Sequence, residues 1–217
     1  MNKIIGVLLV ALAGLGVAQT AALRVAHLSP DAPAVEIWVG GNKVEAFSKL
    51  AFKAVSAYQS LPAGEVELAV VPAGQTGPRI EARVRLEAGR SYTLALIGLQ
   101  AQLKPTLIAD APVPVESGKA RLRLVHAVPN FPGLDIRSKD GALLAQNLGF
   151  ASASEYRLVD AGGNLEPVLF AAGDTQRGIP VPAYRLEAGK TYTLFLAGQY
   201  NHRAENFGLS FVWVEDR

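Results

Sequence analysis

The 217-residue chain contains no cysteine. Disulfides, thiolate-ligated zinc, a cysteine nucleophile and a lipidated N-terminal cysteine are therefore excluded. Any exported domain in it has to be held by sheet packing, without the staples small extracellular domains often use. An excess of charge is missing too. The 21 basic and 19 acidic residues leave a net charge of +2 and are well mixed. No run of Lys and Arg interleaved with aromatic residues occurs, so nucleic acid finds no electrostatic footprint. A general attraction to acidic surfaces has no basis either. The common catalytic signatures are absent as well. There is no Gly-x-Ser-x-Gly elbow, no Gly-rich phosphate loop with Lys, no HExxH zinc helix and no EF-hand calcium loop. No cofactor is expected. A catalytic site assembled from distant loops would leave no such signature.

What is present is apolar and punctuated. Half the residues are hydrophobic, with 21 Gly and 13 Pro scattered between apolar runs as turn formers. The N-terminus carries a secretory pattern: a short positive region at Met1–Lys3, an apolar run from Ile4 to Val17, and small residues up to Ala18. Residues 1–18 are read as a signal peptide, with Gln19 starting the mature chain. The run falls short of the roughly 20 residues a membrane helix needs; an uncleaved anchor is the alternative. No second apolar run of spanning length follows. The expected product lies in the periplasm, at the cell surface or outside the cell, with no transmembrane segment in the mature chain.

The chain repeats itself. Leu23-Arg24-Val25-Ala26-His27 matches Leu122-Arg123-Leu124-Val125-His126 at an offset of 126 − 27 = 99. Pro30, Pro33, Glu36 and Ile37 fall on Pro129, Pro132, Asp135 and Ile136 at the same offset. Leu50-Ala51-Phe52 and Tyr58 match Leu148-Gly149-Phe150 and Tyr156 at 98. LEAGRSYTLALIG (Leu86 to Gly98) matches LEAGKTYTLFLAG (Leu186 to Gly198) at 100. Matched blocks in one order, with an offset drifting only from 98 to 100, mark a tandem duplication. The division follows: repeat one over 19–110, a stiff proline-containing linker over 111–118, and repeat two over 119–217.

Each copy reads as all-β. In copy one, strands are expected near 23–28, 35–39, 55–61, 66–71, 80–86, 92–98 and 106–109, bounded by Gly, Pro, Asn and Asp. Gly40-Gly41 and Lys139-Asp140-Gly141 read as hairpin turns. About seven strands per copy and no amphipathic helix predict two tandem immunoglobulin-like β-sandwiches. In both copies Leu-Glu-Ala-Gly, containing Gly89 or Gly189, leads to a Tyr that opens an apolar strand. That spacing suits a tyrosine corner at Tyr92 and Tyr192. These strands are apolar on both faces. The outer face (Thr93, Ala95 and Ile97; Thr193, Phe195 and Ala197) therefore needs a cover, the sister repeat before an external partner.

The block His27 to Pro33 (HLSPDAP), then Val35 to Val39 (VEIWV), Leu61 to Gly64 (LPAG) and the AGRSYTLALIG block, resembles a bacterial family, domain of unknown function 4397. The resemblance covers nearly all of the chain from Leu23 onward. It implies exported tandem β-sandwiches and no established activity. The second copy departs from it, with His126-Ala-Val-Pro-Asn-Phe-Pro132 in place of HLSPDAP.

The polar candidates are weighed copy against copy. His27 and His126 each end a first strand beside a Pro-rich loop. They read as loop-fixing groups bonded to a backbone carbonyl, or as metal ligands or bases. A divalent site needs three or four convergent ligands, and the one further histidine is His202. Asp31 reads as an Asx-turn residue closing its own loop, since Asn130 replaces it in copy two and cannot act as a base. Glu36 and Asp135 keep their charge across the copies. Period-two alternation places them on an outward, exposed face; as a carboxylate pair they would suit glycoside hydrolysis. The leading expectation is a non-catalytic binding or structural protein of the cell envelope. Its loops or sheet edges would meet an envelope protein or polymer. The alternative is a hydrolase of envelope or extracellular polymers, which requires His27 and Glu36 to converge in one open cleft.

Overall fold

The computed structural model describes residues 19–75, 79–111, 114–131, 133–200 and 208–216. The expected signal peptide, Pro132 and His202 lie outside the described residues.

Repeat one runs β1 (Thr20–His27), β2 (Val35–Val39), β3 (Asn42–Lys43), β4 (Gln59–Pro62), β5 (Gly64–Pro72), β6 (Ile80–Leu86), β7 (Ser91–Ile97) and β8 (Lys104–Asp110). One sheet has the order β4-β1-β7-β8 and the other β3-β2-β5-β6. The first strand pairs parallel with β7 in the middle of its sheet, and the other pairs are antiparallel. The inward residues alternate along each strand, as period two requires. Leu23, Val25, Ile37, Leu68, Val70, Leu94 and Leu96 meet in one buried cluster between the sheets. Burying each such side chain contributes about 1.5–3 kcal/mol, which is how the sandwich holds without disulfides.

Repeat two copies this plan. β9 (Lys119–His126) pairs parallel with β18 (Thr191–Ala197), and β19 (Ser210–Asp216) lies beyond β18. The strands β12 (Ser152–Ala153) and β13 (Arg157–Asp160) pair with the other side of β9. The facing sheet has the order β11-β10-β15-β16, from Leu143–Leu148, Leu134–Ser138, Pro167–Ala171 and Ile179–Pro180. A two-stranded piece, β14 (Asn164–Leu165) with β17 (Tyr184–Arg185), completes it. The chain is all-β, in two immunoglobulin-like sandwiches.

The expected strand over 55–61 is shorter. Val55 makes only an isolated bridge to Ala26, and the strand begins at Gln59. The cause is a bend after Phe52, where Lys53 adopts φ 72° and Ala54 turns back onto Ala51. Ala151 takes the matching conformation in copy two, with φ 59°.

Both tyrosine corners form. The Tyr92 hydroxyl accepts the Glu87 N–H at 3.1 Å, and the Tyr192 hydroxyl accepts the Glu187 N–H at 3.2 Å. Gly89 and Gly189 sit between, at φ 72° and 82°, in the left-handed region that a side chain resists. Their N–H groups donate to Thr20 and Lys119, at the start of each first strand. The corner thus ties the last hairpin of each copy to its first strand.

Candidate functional site

The structure gathers one set of polar residues common to both copies at the joint between the sandwiches. On β1 and β7 the parallel register sets Arg24 beside Thr93; on β9 and β18 it sets Arg123 beside Thr193. These side chains alternate with the core residues, so they point away from their own core and toward the sister copy.

Two reciprocal networks result. Arg123 Nη2 donates to Asp110 Oδ1 at 2.5 Å, and Arg123 Nη1 donates to the Ala109 carbonyl at 2.8 Å. Asp110 also accepts the Tyr58 hydroxyl at 2.7 Å and the Thr93 hydroxyl at 2.8 Å. In mirror fashion Arg24 donates to Asp216 and to the Glu215 carbonyl. Asp216 accepts the Tyr156 hydroxyl at 2.8 Å and the Thr193 hydroxyl at 2.7 Å. The Arg24 guanidinium lies 4.8 Å above the Tyr58 ring, and Arg123 lies 4.7 Å above Tyr156. All four charged groups are at most 6 % exposed; the nearest arginine to each carboxylate comes from the other copy, and Asp216 also lies 3.8 Å from Arg123 of its own copy.

The electrostatics follow from this burial. Desolvation, reinforced by Asp110, pushes the Tyr58 phenol far above its ordinary range. Desolvation likewise raises Tyr156, although Arg123 pulls the other way. Burial alone would lower Arg123, but Asp110, Tyr156 and Asp216 together outweigh it and hold the guanidinium charged. The phenols therefore stay protonated and donate hydrogen bonds to the carboxylates. Beside the ion pairs lies an apolar patch of Ala26, Leu28, Ala95, Ile97, Val125, Ala127, Phe195 and Ala197, all essentially unexposed. The cover over the outer faces of β7 and β18 is the sister repeat.

Both arginines and both threonines lie within the matched blocks of the two copies. An arginine flanked by apolar residues at the same place in both copies was the available signal. The acids were harder to find. Their offset, 216 − 110 = 106, lies off the 98-to-100 track, because the segment between the last two strands is longer in copy two.

The expected site residues do not join this cluster or each other. His27 is fully buried on the core side of β1, with Nε2 3.0 Å from the Pro33 carbonyl. His126 is equally buried and accepts the Val128 N–H at its Nδ1 at 3.2 Å. Both fix the exit from the first strand. Glu36 and Asp135 are not exposed as alternation suggested: they are 8 % and 3 % exposed. The alternation holds, but the outer face is covered locally. Glu36 pairs with Lys43 at 2.9 Å. Asp135 accepts the Asn147 N–H at 2.7 Å and the Gly173 N–H at 3.2 Å. His27 faces the core of one sheet while Glu36 faces outward from the other. The open cleft that the hydrolase reading requires is not formed by this pair. Among the described residues, no three His, Asp or Glu side chains converge as metal ligands.

Asp31 acts over a longer distance than an Asx turn. Its Oδ1 accepts the Gln100 N–H at 2.8 Å, beyond the end of β7. Asn130 does the same in copy two, accepting the Tyr200 N–H at 2.9 Å and donating to the Tyr200 carbonyl at 2.7 Å. Both residues strap the first loop of their copy to the segment after β7 or β18. Neutral Asn130 makes the same strap as Asp31.

Burial lowers the pKa of His27 below its ordinary value, against the raising effect of the Pro33 carbonyl. The unfolded chain then binds the proton more readily than the folded one, so protonation opposes folding. Stability is expected to be complete above about pH 6.5 and to fall below it, by up to about 1.4 kcal/mol per pH unit from this residue. Urea midpoints between pH 5 and 7.5 measure it. The His27→Gln variant should show a flatter profile, and an unchanged slope would refute the assignment.

Two segments of the chain, residues 21–137 and 123–216, match the family model described as Domain of unknown function (DUF4397). The chain belongs to the DUF4397 family. The overlap of the matches at 123–137 runs from the second half of β9 through all but the last residue of β10, where the second copy restarts the pattern of the first. No curated protein matches this DUF4397 chain. Among solved structures it is similar to the TIE protein of Bacillus anthracis, at 14 % identity and TM-score 0.27, covering 83 % of this chain and 34 % of that one. It is also similar to a CBM26 module of Eubacterium rectale Amy13K solved with maltoheptaose. That match has 11 % identity and TM-score 0.24, covering 87 % and 99 % of the two chains. The chain thus spans about a third of the length of the Bacillus anthracis protein.

Proposed function

We propose that this DUF4397 protein is an exported, non-catalytic binding or structural module of the cell envelope. Its rigid pair of sandwiches presents loops or sheet edges to an envelope protein or polymer. The carrying observation is where the shared polar residues go. The Arg–Asp pairs join the copies, the histidines and Asp31/Asn130 fasten loops, and Glu36/Asp135 close onto their own sheets. One difference between the copies lies on the outer face of the second strand. Trp38, under the Arg79 guanidinium in copy one, is replaced by Arg137 in copy two. Ion pairs kept at the joint beside a diverging outer face suit a scaffold whose copies meet different chemistry. The secretory pattern at Met1–Ala18 supports export, and no helix among the described residues is long and apolar enough to cross a membrane.

The mature protein is to be incubated with panels of glycan, ester and peptide substrates. No turnover above that of a heat-denatured control is expected. Turnover abolished by a point substitution in a cleft would overturn the proposal.

A further inference from the structure

The two sandwiches are closed differently along one seam. In repeat one the chain after β3 makes a single 3-10 turn, Glu45–Phe47, and drops Phe47 into the core with no exposure. Phe47 packs in one cluster with Leu61 and Val66, which are 8 % and 9 % exposed, and against half-buried Val44. Repeat two lacks this plug. The left-handed residues Lys49 and Asn147 align at an offset of 98, while the hairpin partners Lys43 and Leu143 align at 100. Two residues are therefore missing in copy two between these points. Ala145-Gln146 stands where copy one has Glu45-Ala46-Phe47-Ser48. The segment runs on as strand β11 with no aromatic side chain.

A cleft of about 800 Å³ opens at this place in repeat two. Its apolar lining includes Leu143, Leu144, Leu158, Val159, Ala161 and Leu165. Val159 and Leu165 correspond to Leu61 and Val66 but are only half-buried. Leu158 is 42 % exposed, one of two large apolar side chains so exposed among the described residues. The lips are two sheet-edge strands, β11 and β13, with the Lys139–Glu166 ion pair at one end. The volume suits several residues of ligand, more than one side chain. A strand edge offers backbone N–H and C=O groups to an extended segment.

We propose that this cleft receives an extended peptide segment of a partner protein, anchored by an aromatic side chain that takes the place Phe47 fills in repeat one. The inference rests on the reading of the chain as a binding module and names where and what it binds. The occupant's chemistry comes from the sister repeat, where the equivalent seam is sealed by a Phe on a short irregular segment.

The probe is the capped octapeptide of residues 43–50, KVEAFSKL, titrated into the full mature protein and followed by amide chemical shifts. Saturable binding is expected, with shifts confined to β11, β13 and β14. The same peptide with Phe47→Ala should bind at least ten-fold more weakly. Replacing Ala145-Gln146 by Glu-Ala-Phe-Ser should seal the cleft from within and abolish binding. The exposed-site variant L158K, which leaves the core untouched, should weaken binding at least ten-fold. No saturable binding, equal binding of the two peptides, or binding indifferent to L158K would overturn the assignment. Those failures would leave the non-catalytic reading standing, since substrate turnover tests that reading separately.

Discussion

Asp110→Ala is expected to lower the stability of the protein by about 3–5 kcal/mol, because it leaves the buried Arg123 guanidinium without its nearest carboxylate and only the more distant Asp216, at 3.8 Å, to face it. The side chains are 3 % and 0 % exposed, so water cannot take over the lost contact without opening the joint. The Thr93 and Tyr58 hydroxyls lose an acceptor at the same time. Urea denaturation should show a lower midpoint. A loss below about 1 kcal/mol would mean that the pair behaves as a solvated surface bridge. Replacing both partners by apolar residues, R123M with D110L, should recover part of the loss, because an apolar pair carries no desolvation penalty. Recovery should stay incomplete, since the two hydroxyls still lack that acceptor. By the pseudo-symmetry of the joint, Asp216→Ala should have a similar effect through Arg24.

Phe195→Ala should cost about 3–5 kcal/mol by emptying the centre of the apolar patch between the copies. Phe195 has no exposure and is the one aromatic among the fully buried members of that patch, with Ala95 at the matching position of copy one. Moving the ring to the other copy, A95F with F195A, conserves the volume of the patch. It should recover a part of the stability that F195A alone loses. A double variant no more stable than F195A would show that the joint is not interchangeable between copies. These two substitutions act on different forces, a charge pair and a packed ring. Their effects should add less than fully, because both lie in one interface.

The plan of each sandwich was legible because it depends on local rules. Strands at 35–39 and 80–86 fall where β-branched and apolar alternation between turn residues places them. The tyrosine corner follows from a spacing of residues that touch within one turn. The apolar second face of the Tyr92 and Tyr192 strands called for a cover, and the sister repeat supplies it. The candidate site was less legible. His27 and Glu36 stood out as polar residues kept in both copies, yet one faces a core and the other a lysine on its own sheet. Asp31 looked local but reaches Gln100, a contact between loops 69 residues apart. Glu36 and Asp135 do lie on the outward face, as alternation says. Alternation tells which face a side chain takes, not what lies over that face, and both are buried there.

The absence of cysteine and the duplication, taken together, settled much about this protein. A chain that cannot staple itself must bury apolar surface, and a repeated strand pattern determines that it does so twice. Those features depend on residue type and spacing, which a sequence carries directly. How the two copies meet was decided in three dimensions. Arg24 pairs with Asp216, 192 residues away, and Arg123 with Asp110 on the opposite side of the linker. The seam left open by two missing residues also emerges only when the sheets close. Charge pairing and cavity shape depend on which surfaces are brought within a few ångströms, and that distance is a property of the fold.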